Sequence, residues 1–83
     1  MHLVYTENQD TKHIIDLQEV LITSFDGKQL TIILTLVGGI AVHIKAKDKD
    51  IFMNLYEELI HGTDDIQIGY EKVQVRLGGI RLE

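Results

Sequence analysis

The chain has no cysteine, no proline and no tryptophan, and aromatic side chains make up only 6% of it. Without cysteine, neither a disulfide nor a thiolate metal site can hold the fold, and a reducing cytoplasm is the expected setting. Without proline or a Gly/Ser-rich stretch, nothing divides the chain, so residues 1–83 read as a single small α+β domain. Long apolar runs are missing too. The most apolar stretch, residues 30–44, is free of Asp, Glu, Lys and Arg. It is shorter than the ~20 residues a membrane-spanning helix needs, and threonines and a Gly-Gly pair interrupt it. The opening MHLVYTEN has no basic segment leading into an apolar stretch, so neither a secretory leader nor a membrane partner is expected. Positive charge is scarce: eight Lys and Arg stand against thirteen Asp and Glu, a formal charge of −5. The one basic cluster, Lys45, Lys47 and Lys49, is interleaved with Asp48 and Asp50. Direct nucleic-acid binding, which needs a cationic stripe to displace counterions, is not expected.

What is present is enough apolar material for a core, 45% of the residues. At this length a domain buries roughly 60–65% of its unfolded surface, which leaves a narrow stability margin unless a second chain helps. Leu3, Val4 and Tyr5 suggest a first strand, residues 6–12 a polar loop, and His13, Ile14 and Ile15 a second strand. Residues 16–25 admit two readings. As a helix, Asp16 and Glu19 form a capping box, and Leu17, Val20, Leu21 and Phe25 share a face. As a turn at residues 16–18 followed by a strand, the β-branched run leads into Asp26-Gly27, a strong hairpin signal; the second reading is preferred. Residues 28–37 and 40–46 then form two long strands. Asp48 caps an amphipathic helix over residues 48–61 whose apolar positions recur every three or four residues, and Gly62 supplies a left-handed stop. Alternation over residues 66–70, 73–77 and 80–82 predicts three more strands. The fold class is therefore α+β, mainly antiparallel sheet of about five to seven short strands with one helix.

The phrases VGGIAV (residues 37–42) and LGGIRL (77–82) echo each other. A phosphate-cradling loop needs a helix N-terminus directly after the glycines, and here a strand resumes instead. Both pairs are thus expected to be two-residue hairpin tips, where glycine supplies positive φ. With Gly38-Gly39 as a two-residue loop, Ile33 opposes Ile44, Thr35 opposes Val42 and Leu34 opposes His43, which leaves the strand apolar on both faces. One helix covers one face only. Either the C-terminal strands fold over as a second sheet, or another copy covers the row Leu30, Ile32, Leu34 and Leu36. With Gly78-Gly79 as the second tip, Arg76 lies across from Arg81, a like-charge pair that invites an anion or an acidic partner.

Catalytic signals are sparse. Ser24 is the sole serine and stands just before the expected turn. His2, His13, His43 and His61 lack metal-ligand spacing, and no cofactor or metal is expected. The run IIDLQEVLITSFDGKQLTIIL resembles bacterial pleckstrin-homology-like domains across residues 14–61. That resemblance implies a sheet closed by an amphipathic helix, but the helix is last in that fold and three strands are expected after it here. The leading expectation is a non-catalytic, cytoplasmic interaction module that forms a homo-oligomer or docks a protein partner, with Leu30, Ile32, Leu34, Leu36, Arg76 and Arg81 as its surface. Alternatives are an acidic inhibitor of a nucleic-acid enzyme or basic protein, acting through carboxylates such as Asp48, Asp50, Glu57, Glu58, Asp64 and Asp65, and a small-ligand binder with a cavity between sheet layers.

Overall fold

Alternating apolar and polar residues become seven strands, and the single segment of helical period becomes a helix. The computed structural model describes residues 1–79. In chain order the elements are β1 (His2–Thr6), β2 (Lys12–Asp16), a 3₁₀ turn (Leu17–Glu19), β3 (Val20–Asp26), β4 (Thr31–Leu36), β5 (Ile40–Ala46), α1 (Lys49–His61), β6 (Ile66–Gly69) and β7 (Val73–Gly79). They form a three-stranded sheet, β2-β1-β6, and a four-stranded sheet, β3-β4-β5-β7. All pairings are antiparallel except β1 with β6. The α+β class and the strand number agree with expectation. Of the two readings of residues 16–25, the turn followed by a strand is realised. Asp16 Oδ1 accepts the Gln18 N–H at 2.9 Å and starts the turn.

The β4–β5 hairpin turns where expected but not as expected. Gly38 and Gly39 take positive φ, 93° and 85°. Val37 joins them in the loop, and the Gly39 N–H donates to the Leu36 carbonyl at 3.2 Å. The register is consequently one residue off the two-residue prediction: Ile32 opposes Ile44, Leu34 opposes Val42, and Ile33 opposes His43. A slip of one residue moves a strand's side chains to the opposite face. It sorts this hairpin cleanly. Ile32, Leu34, Val42 and Ile44 lie together on an inner face with at most 1% exposure, and Thr31, Ile33, Thr35, His43 and Lys45 take the other. The expectation of a strand apolar on both faces is thus corrected.

Two further turns differ from the prediction. Asp26-Gly27 is not a two-residue tip. Asp26 Oδ1 accepts the N–H groups of Lys28 and Gln29 at 3.0 and 3.1 Å, which winds a longer connection. The left-handed residue is Leu30, φ 51°, and not Gly27. A bulge between Val20 and Ile22 sets Val20 opposite Leu36 and Phe25 opposite Ile32, so Val20 and Phe25 face inward while Leu21 and Ile22 are exposed. Gly78 and Gly79 are strand residues of β7, opposite Ala41 and Ile40, and Gly78 is not among the positive-φ glycines. Alternation continues through a glycine that is simply extended, which is why the sequence alone suggests a tip there. The two Gly-Gly phrases end up side by side. Arg76 lies opposite His43. Arg81, with the strand expected over residues 80–82, lies outside the described residues.

The helix begins as expected, with Asp48 Oδ1 accepting the Ile51 N–H at 2.8 Å. It buries Phe52 and Leu55, and Phe25 meets the rings of Phe52 and Tyr56 edge-on with centroids 6.5 and 4.7 Å away. Gly62 ends it for a different reason from the one expected. Its φ is −74°, an ordinary value, but a Cβ there would sit 2.5 Å from the Glu58 carbonyl oxygen, which accepts the Gly62 N–H.

The second layer expected from the C-terminal strands is built instead from β1, β2 and β6, because β7 extends the first sheet through β5. Leu3, Tyr5, Ile66 and Ile68 meet Ile32, Leu34, Val42, Ile44 and Val73 in one core, with Phe52 and Leu55 of the helix closing it. Leu34→Ala is expected to destabilise the protein by about 2–5 kcal/mol, measured by denaturant unfolding, because its site has no solvent exposure. The turn assignments have their own check. Gly38→Ala should cost about 1–2 kcal/mol for a left-handed alanine. Gly27→Ala should stay within about 0.5 kcal/mol, since no positive φ is required there.

Candidate functional site

Strand alternation in two facing sheets creates a cleft of about 500 Å³ where β1 and β2 stand over the ends of β4, β5 and β7. Its floor is apolar, from Ile15, Leu36, Val42 and Val75. Three rim residues are large, apolar and more than half exposed: Ile14 at 68%, Ile40 at 51% and Leu77 at 72%. One end is polar. His13 lies opposite Tyr5 across the β1–β2 ladder, with rings stacked at 6.2 Å and 17°. Its Nε2 is 3.5 Å from Glu7 Oε2, and the Glu7 N–H, held by the Thr11 carbonyl at 2.9 Å, fixes the loop that brings the carboxylate round. Burial, reinforced by the negative charge of Glu7, pushes the Tyr5 phenol above its ordinary pKa, so it remains a neutral hydrogen-bonding group. Such a cleft can hold an apolar group and orient it through a phenol, an imidazole and a carboxylate.

The residues expected to form a docking surface are placed differently. Ile32 and Leu34 have no exposure, and Leu30 and Leu36 are partly buried against the same core. The chain's own second sheet and helix cover that row, so it is not a free surface; of the four only Leu36 reaches the cleft. Arg76 is exposed on the opposite side of the four-stranded sheet. Ser24 lies in the middle of β3 rather than at a turn, and Ile33 separates it from His43 along the row. His2 and His61 pair with Asp65 and Glu57 at 3.5 and 3.8 Å. Among the described residues, no cluster of three His, Asp or Glu side chains is arranged to hold a metal ion. Of the carboxylates considered for an inhibitory surface, Asp48 caps the helix, Glu57 meets His61 and Asp65 meets His2, which leaves fewer for a partner.

The cleft was only partly visible in the sequence. Alternation marks Val75 and Leu77 as inward-facing, but Tyr5, His13 and Ile40 come together only because β1 and β2 form the covering sheet. No family model matches the chain, and no curated protein or solved structure is significantly similar to it. Among the described residues, no helix is long and apolar enough to cross a membrane.

Asp65 closes one end of the three-stranded sheet. Its carboxylate accepts the His2 backbone N–H at 2.8 Å, and that bond, followed by the charge of His2 and of the N-terminus, holds its pKa below the usual 3.8. A depressed pKa contributes stability that is present above 3.8 and is lost as pH falls through the lower folded value. Asp65→Asn should therefore lower the thermal midpoint at neutral pH, and the gap to wild type should close in acid.

Proposed function

We propose that this chain is a non-catalytic protein-interaction module of the cytoplasm that self-associates through the mouth of the inter-sheet cleft. The observation that carries the reading is that Ile40 and Leu77, each more than half exposed, flank one apolar floor, with exposed Ile14 on the adjoining edge strand. Scattered exposed leucines need no explanation, but a contiguous apolar patch lined by a groove marks a contact surface. Burying such a side chain completely is worth roughly 1.5–3 kcal/mol relative to leaving it exposed. Ile40 and Leu77 from each of two copies form a useful fraction of what a micromolar dimer requires, about 8 kcal/mol. The chemistry of the cleft is that of contact, since its polar end offers hydrogen bonds beside a mostly apolar wall.

A second reading, a small-ligand binder, draws on the Tyr5–His13–Glu7 group. Ligand pockets of about 300–1,000 Å³ combine apolar walls with a few convergent polar groups. Sedimentation analysis with native mass spectrometry separates the two readings. The proposal expects a dimer or larger species at high micromolar concentration, converted to monomer by Ile40→Lys with Leu77→Lys while the circular dichroism spectrum is retained. A wild-type monomer at that concentration would refute self-association. A bound small molecule of constant mass on that monomer would favour the second reading.

A further inference from the structure

The outer face of the four-stranded sheet carries a different chemistry from the cleft. Neither the three-stranded sheet nor the helix covers it, because both pack on the inner face through residues of the shared core. Antiparallel register sets His43 beside Arg76 and, in the next row, Thr31, Lys45 and Gln74 side by side. These groups surround a shallow depression of about 410 Å³. Gly78 lies beside it, and a Cβ there would come to ordinary contact distance, 3.7 Å, from His43 Nε2. On a chain with thirteen Asp and Glu, this depression is lined by two permanent cations, an imidazole, an amide and a hydroxyl, with Leu77 and Gly78 at one end and no carboxylate among the described residues. Among the described residues, every ion pair involves a histidine, and Lys45 and Arg76 form none. Among the described residues, the acidic side chain in that row, Asp26, is beyond Thr31.

We propose that this face docks an acidic protein segment in extended conformation, with carboxylates at alternate positions. Charge complementarity identifies the partner's sign, and spacing identifies its form. The His43–Arg76 and Lys45–Gln74 rows are two residues apart along their strands, about 6.6–7 Å, the distance at which side chains i and i+2 of an extended segment point the same way. One carboxylate meets the guanidinium fork of Arg76 with His43 beside it, and the next meets Lys45 with the Gln74 amide. A nucleic-acid strand fits less well. Among the described residues this face has no Phe, Tyr or Trp ring on which a base could stack, and the His43 imidazole is its single ring. A long polyanion also extends beyond these rows into the field of a chain with net charge −5. The site is on the opposite side of the sheet from the cleft, so it does not depend on self-association.

The test is fluorescence anisotropy with the full chain and a labelled peptide alternating Asp and Ser, beside a peptide of the same composition with its Asp residues in one block. Oligothymidylate and inorganic phosphate serve as competitors. The alternating peptide should bind in a salt-sensitive manner and more tightly than the block peptide. Lys45→Gln with Arg76→Gln should weaken it at least about tenfold, as expected from losing charge-assisted hydrogen bonds. The single variants provide the same readout with less change to the sheet. Lys12→Gln, on β2 of the other sheet, should have no effect. No salt-sensitive binding, equal affinity for the double variant or the block peptide, or complete displacement by oligothymidylate or phosphate at lower concentration than by unlabelled peptide would overturn the proposal.

Discussion

The register of β4 against β5 is the constraint on which the rest of the structure depends. Val37 joins Gly38 and Gly39 in the turn, so Leu34 meets Val42 and Ile32 meets Ile44. In the alternative register, one residue away, Leu34 would face His43, and each side of the hairpin would mix grease with polar groups. The observed pairing gathers the apolar side chains on one face, where two layers from the same chain can cover them. It also leaves the opposite face free to carry His43, Lys45 and, through β7, Arg76.

That separation gives the small domain two surfaces of different character. Inside, the core is fully apolar: no buried polar or charged residue occurs among those described. Where the three-stranded sheet extends past the core, the two sheets diverge into the cleft, and Leu77 and Ile40 are left without cover. The other side of the same strands is polar, because alternate residues of β5 and β7 point there. One strand pair thus serves an apolar groove and a cationic depression without compromise between them.

Where the physics is local, the sequence signal and the structure coincide. Asp48 and Asp16 are capping residues because a carboxylate can reach a free N–H two or three residues ahead. The helical period of Ile51, Phe52, Leu55 and Leu59 requires no partner to be recognised. Turn chemistry was less legible. Asp-Gly and Gly-Gly are compatible with several loop lengths, and glycine is equally content in an extended strand, as Gly78 and Gly79 demonstrate. A loop one residue longer shifts every cross-strand partner, which is why Leu34 pairs with Val42 and Arg76 with His43, and why the Leu30–Leu36 row is covered by the chain's own second layer.

By itself the sequence determined the α+β composition, the helix and its N-terminal cap, and the alternation that gives every strand an inner and an outer face. These are properties of a few neighbouring residues, set by sterics and hydrogen bonding within a turn or two. Only the tertiary structure decided which strands pair, that β1 and β2 cover the core while β7 extends the first sheet, and that Tyr5, His13 and Leu77 share one cleft. Strand pairing is a choice among many nearly equivalent backbone ladders. It is settled by which arrangement buries the most apolar surface at once, a sum over the whole chain that no short stretch encodes.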